Sequence, residues 1–255
     1  MHWIACGEHQ VPDGLDWISP RERARVDRIT FTKRRTEYLL RRYAGKRGVA
    51  ATLGLDVDQD RLAAIELLNR RSGAPYVVVD GREGDLDVSL TDRAGSAVCL
   101  TGPGGSLASG TVGADLEIVE KRSEYFVNDY FTPVEQDYIH AQRDAGGQDG
   151  WDAAANLLWS AKEAGLKVLR VGLKADTRIL TIEVSHELRP DGWAPMRIEV
   201  IDGSEFGGWW RRDGIFLLTI AYRYGGPPPD LLPGGADLAT AQAVHSWLAN
   251  PKLHP

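Results

Sequence analysis

Two stretches of this chain, 116 residues apart, read as versions of one another. "RRYAGKRGVAATLGL" (41–55) and "LLWSAKEAGLKVLRVGL" (157–173) each place an aromatic residue, two small residues and a lysine ahead of an apolar run ending at Gly-Leu. Lys46 and Lys162 hold equivalent places in the two. Each stretch has helical periodicity and each is followed by strand-like segments. A chain that runs twice through helix and then strands is constrained to an α/β (α+β) architecture of two like modules. The expectation is a pseudo-dimer of helix-plus-antiparallel-sheet modules, 1–110 and 111–255, with the functional site at their interface, where ligand sites of such arrangements tend to fall.

The remaining signals fill in that frame. Helices are expected over Ser19–Asp27 and Lys33–Leu53, the second capped by Thr32 and stopped by Gly54. Strands are expected at "APYVVVD", "LDVSL", "AVCLT" and "TVGADLEIV". "GPGGSLASG" (102–110) reads as a linker. Helical signals return from Pro133 to Arg143 and in "GWDAAANLLWSAKEAGLKVLR", the strongest helix of the sequence. "LTIEVS", "PMRIEVID" and "IFLLTIAYR" read as strands. Trp209 and Trp210 suit core or hairpin packing, or a partner surface. The Pro- and Gly-rich tail has no placement from sequence.

Charge is unevenly spread. The net charge is −6, yet residues 21–47 contain eleven Lys/Arg against three acids, a balance of +8, so the rest of the chain carries −14. Such a block is either a solvated helix face or a site for phosphates or an acidic partner. No aromatic-interleaved basic run or zinc-finger spacing favours nucleic acid. Cys6 and Cys99 make neither a disulfide framework nor a metal cluster. No apolar run approaches the 18 residues that a membrane span needs and no leader is evident, so a cytoplasmic protein is expected.

Two groups of residues carry chemistry. In the strand-like "GADLE" (113–117), Asp115 and Glu117 fall on one face at period two, roughly 7 Å apart along the strand. Two such carboxylates suit Mg²⁺, which takes oxygen ligands and keeps waters and substrate phosphates; the same spacing also describes a solvated strand face. In the helix, Trp159, Glu163 and Lys167 share a face at i, i+4 and i+8, a pattern equally open to a surface ion pair. Together with the basic block, these supply the metal ligands, base and cations that transfer of a phosphate bond would use.

"VGADLE" followed by "WSAKEAGLK" resembles the paired signatures of the 4′-phosphopantetheinyl transferases, Gly-x-Asp-x-Glu and Trp-Ser-x-Lys-Glu-x-x-x-Lys. "KRRTEYLLRRYAGKRGVA" is similar to the family's basic first helix, and "SGAPYVVV" with "LDVSLTDRAGSAVCL" to its following strands. Length and internal repetition fit the monomeric surfactin type. The resemblance implies transfer of the 4′-phosphopantetheine arm of coenzyme A to a serine of an acyl, peptidyl or polyketide carrier protein of secondary metabolism, releasing adenosine 3′,5′-bisphosphate. It implies Asp115, Glu117 and Glu163 as Mg²⁺ ligands, Glu163 as the base, and Lys167 as a catalytic cation. Lys46, Arg41, Arg42, Ser89, Asp92 and Lys162 would then bind coenzyme A. The expected partners are coenzyme A and an apo carrier protein, with no nucleic acid and no membrane. One departure stands out: Thr91-Asp92 replaces the family's usual Ser-His, placing an acid where a phosphate is expected, with Arg93 as a candidate counter-ion. Asp92 favours an alternative, a relative that binds coenzyme A or a carrier protein without turnover.

Overall fold

The computed structural model describes residues 1–105, 110–172 and 175–251. They divide into two compact units, Met1–Gly105 together with the tail from Pro229, and Ser106–Pro228.

The first unit begins with strand β1 (His2–Gly7), followed by helices α1 (Pro20–Val26), α2 (Thr32–Leu53) and α3 (Gln59–Ala64). Strands β2 (Ile65–Asn69), β3 (Pro75–Val79), β4 (Arg82–Glu83), β5 (Leu86–Arg93) and β6 (Ser96–Pro103) follow. β1, β6 and β5 pair antiparallel, while β2, β3 and β4 form a smaller antiparallel sheet. Gly54, at φ +66°, ends α2 as expected, because only a residue without Cβ adopts the left-handed cap cheaply. The N-cap is Phe31 rather than Thr32, which is the first helical residue. The expected linker begins later than read, since Gly102 and Pro103 complete β6; residues 106–109 lie outside the described residues.

The second unit contains β7 (Val112–Ile118), α4 (Glu124–Tyr130), α5 (Pro133–Leu169), β8 (Leu180–Val184), β9 (Ala194–Val200), β10 (Glu205–Asp213) and β11 (Phe216–Tyr222). Its five strands form one antiparallel sheet in the order β7-β11-β10-β9-β8. The two helices expected at 133–143 and 150–170 are one element broken at Gly147, whose φ 62°, ψ −147° is not helical. Trp209 and Trp210 lie in β10. The indole N–H of Trp209 donates to Gly226 O and that of Trp210 to Ser185 O, each at 2.9 Å.

The tail, counted by sequence with residues 111–255, runs instead with the first unit. Strand β12 (Asp230–Leu231) pairs parallel with β1, and Ala236 N–H then donates to Ala5 O at 2.7 Å. Backbone pairing to an open strand edge decides this placement, and an irregular Pro-rich sequence carries no pattern that announces it.

The repeat seen in the sequence extends to atomic contacts. In the first unit, Glu22 stands at the third position of α1 and closes a capping box with Ser19. Its Oε1 also accepts from Leu67 N–H at 3.1 Å, and its Oε2 lies 2.6 Å from Lys46 Nζ. In the second unit, Glu135 closes a capping box with Thr132, its Oε1 accepts from Ile182 N–H at 2.9 Å, and its Oε2 lies 2.8 Å from Lys162 Nζ. Lys46 also donates to Leu62 O and Ile65 O, and Lys162 to Thr177 O and Leu180 O. Lys46 therefore ties α2 to the start of α1 and to β2, and Lys162 ties the part of α5 beyond Gly147 to the start of that same element and to β8. All four charged side chains are fully buried.

Candidate active site

The α5–β7 contact is made possible by Gly113. A Cβ there would fall 2.0 Å from Ala164 O, so a larger residue would push strand and helix apart. Ser160 adds a second tie: its hydroxyl lies 2.8 Å from that of Thr219, the β11 residue paired in register with Asp115. Trp159 packs edge-on to Phe126 and Tyr130, with ring centroids 5.1 and 5.2 Å away. Half of the Trp-Ser-x-Lys-Glu stretch is therefore structural, and it aims the other half.

What it aims are Glu163 and Lys167. Lys167 Nζ donates to Asp115 Oδ1 and to Ala114 O, both at 2.8 Å, so it reaches across to the strand rather than back to Glu163. The Glu163 carboxyl is pushed up to about 7, first by burial and then by the negative charge of Asp115, with Lys167 pulling the other way. Glu117, further along β7, has the Arg122 guanidinium 3.8 Å from its Oε2. Asp115, Glu163 and Lys167 are thus brought together, with Glu117 on the adjoining part of the same strand.

Sequence reading missed Arg122 and the side chains that hold it. Its N–H donates to Asp152 Oδ1 at 3.0 Å and its Nε to Asn156 Oδ1 at 2.7 Å, while its carbonyl accepts from Trp151 Nε1 at 3.0 Å. One signal was available. Asp152 and Asn156 lie one helical turn apart on the buried side of α5, and buried polar groups need partners.

The residues expected to contact coenzyme A fall in different surroundings. Lys46 and Lys162 are corrected to internal structural lysines. With no exposed surface and with backbone carbonyls and a carboxylate around each ammonium, neither can meet a solvent-borne phosphate. Arg42 is corrected likewise: it is buried, its Nη2 donates to Asn69 Oδ1 at 2.7 Å, and its guanidinium stacks 4.5 Å from the Tyr38 ring. Arg41 pairs with Asp92, so the counter-ion is Arg41 where Arg93 was expected. Ser89 is buried in β5, and its odd spacing from Asp92 puts the two on opposite faces. Arg41 also joins Arg25, Arg28 and Arg34, with Phe31 and Tyr38, around a cleft of about 500 Å³. The basic block holds this cleft, in which Arg41 was among the residues expected from sequence and Arg25, Arg28 and Arg34 were not; Glu37 lines it too.

A magnesium ion can be tested against the donor set. Among the described residues, no three His, Cys, Asp or Glu side chains gather closely enough to enclose a metal. The arrangement instead offers Asp115 and Glu117 on one strand with Glu163 close to Asp115. That fits Mg²⁺, which is commonly held by one or two carboxylates plus waters and substrate phosphates rather than by an all-protein cage.

Residues 111–203, which include β7 and α5, match the family model described as the 4′-phosphopantetheinyl transferase superfamily. A holo-[acyl-carrier-protein] synthase of Enterococcus faecalis is 32% identical over 74 residues, which are 29% of this chain and 62% of the relative. The chain thus spans under two thirds of that curated relative. The superfamily match includes Asp115, Glu117, Glu163 and Lys167, so the motif resemblance and the structural site coincide on one strand–helix pair.

Proposed function

We propose that this protein transfers the 4′-phosphopantetheine arm of coenzyme A to a serine of an acyl, peptidyl or polyketide carrier protein. The observation that carries this is the convergence of Asp115, Glu163 and Lys167 across β7 and α5, with Lys167 Nζ 2.8 Å from Asp115. In the proposed reaction, the serine oxygen forms a bond to the phosphorus bearing the pantetheine arm. The P–O bond to the bridging oxygen breaks, and adenosine 3′,5′-bisphosphate leaves.

Each side chain has a distinct task. Glu163, with its pKa raised to about 7, is poised to take the serine proton near neutral pH. Lys167 places a cation beside the carboxylates, where it can meet charge developing on the phosphates. Asp115 and Glu117 would hold a Mg²⁺ ion, which would supply charge neutralisation at the pyrophosphate. The arginine-lined cleft supports binding of the nucleotide's phosphates, with Phe31 and Tyr38 as apolar surface. The Arg41–Asp92 pair supports retained affinity, because it offsets the acid that stands in place of histidine.

The test is intact-mass spectrometry of an apo carrier protein incubated with coenzyme A, Mg²⁺ and this protein. The expected result is a gain of one phosphopantetheine arm, absent with Glu163→Ala or with chelator. No gain across acyl, peptidyl and polyketide carriers would overturn the proposal.

A further inference from the structure

Arg122 is held on every side. Asn156 is fully buried; its Oδ1 takes the Arg122 Nε–H, while its Nδ2 donates to Glu120 O at 2.6 Å and Asp152 O at 2.7 Å. The guanidinium packs 4.6 Å from the Phe126 ring, and its Nη2 stands 3.3 Å from Glu120 Oε1. A planar fork fixed at its Nε and stacked on an aromatic ring has little rotameric freedom left. That same Nη2 lies 3.8 Å from Glu117 Oε2, too long for a hydrogen bond but close enough for a substantial charge interaction.

The two carboxylates of β7 therefore have counter-ions of different kinds. Lys167, on Asp115, is a flexible ammonium whose side chain is 29% exposed, so it can turn toward an arriving anion. Arg122, beside Glu117, cannot turn away. A divalent cation approaching Glu117 meets a positive charge that stays in place. An anionic ligand beside the cation would offset that repulsion.

We propose that Arg122 is a fixed counter-charge at Glu117 that makes divalent-cation binding depend on a polyphosphate ligand bound alongside. It thereby suppresses loading of the site by metal alone. The inference rests on the proposed metal-binding role of Asp115 and Glu117.

The experiment is an electron paramagnetic resonance titration of Mn²⁺, with and without coenzyme A, on the wild-type protein, Arg122→Gln, Arg122→Lys and Glu117→Gln. Wild type is expected to bind Mn²⁺ about tenfold or more tightly with coenzyme A than without. Arg122→Gln is expected to tighten binding of Mn²⁺ alone by about tenfold, shrinking the dependence on coenzyme A. Arg122→Lys, which keeps the charge, is expected to stay near wild type. The main-chain contacts of residue 122 to Asp152 and Trp151 do not involve the exchanged side chain, and thermal melts check that the fold is kept. Equal Mn²⁺ affinity with and without coenzyme A in wild type overturns the proposal without recourse to any variant. Unchanged or weaker binding of Mn²⁺ alone in folded Arg122→Gln overturns it too. Mn²⁺ binding that Glu117→Gln leaves intact overturns the metal role of Glu117, and this inference with it.

Discussion

Lys162 Nζ lies 2.8 Å from Glu135 Oε2 with both side chains fully buried, and Lys46 repeats the arrangement with Glu22 at 2.6 Å in the other unit. Burial lowers the pKa of both lysines, while each glutamate partner opposes that shift. Taking the charges out of water is costly, and the surrounding carbonyls and strand N–H groups offset the cost only while both partners are present.

Removing one partner should therefore damage the fold. Lys162→Met and Lys46→Met are each expected to destabilise by about 3–5 kcal/mol, because each leaves a buried carboxylate without its ammonium partner, the second loss being partly offset by Arg42, 3.8 Å from Glu22. Denaturant titration measures this. Whatever folded protein remains should keep the coenzyme A affinity of wild type. A selective loss of that affinity at full stability would restore these lysines to the ligand site.

Glu163 should give the metal-free protein a pH-dependent stability. Its carboxyl is raised from the ordinary glutamate value to about 7 in the folded chain, so its contribution is full below the unfolded pKa and is lost as pH rises through about 7. Glu163→Gln should be close to neutral at pH 4.5. At pH 8 with chelator it should be stabilising, by on the order of 1–3 kcal/mol. Denaturant midpoints at the two pH values check this; a gain at the acidic end would contradict it.

Lys167→Met should lower the transfer rate by about 10²-fold if the lysine meets phosphate charge in the transition state. Single-turnover kinetics separate this from binding, since a lysine that served only to brace Asp115 would alter stability and metal affinity while leaving the chemical step intact.

Gly113→Ala should cost at least about 2 kcal/mol, because its Cβ would meet the rigid Ala164 carbonyl rather than a side chain that can move. Transfer should fall even where the protein remains folded, as β7 and α5 separate. Calorimetry and the intact-mass assay test the two consequences.

The strand and helix of the site were legible because their periodicities place carboxylates and a lysine on defined faces, and Asp115, Glu163 and Lys167 do meet. The roles expected for Lys46 and Lys162 came from the resemblance alone, and a charge read from sequence carries no information on burial. Their counterparts were nevertheless visible: Ser19-Pro20-Arg21-Glu22 and Thr132-Pro133-Val134-Glu135 are matching helix starts 113 residues apart, each with a capping glutamate. Arg122 was not legible, because its role depends on Asn156 and Asp152 coming across from α5. β1 and β2 were not singled out, β2 following α3 with no turn residue between them, and β10 was obscured by its glycines and charged end.

The parallel pairing of β12 with β1 has a consequence for synthesis on the ribosome. Asp230 and Leu231 emerge 228 residues after their partners His2 and Trp3, once the entire second unit has been made. At ordinary elongation rates the outer edge of β1 waits on the order of ten seconds or more for that cover. The nascent chain thus carries an unprotected strand edge until residues 230 and 231 are made, and their emergence is the event that closes it.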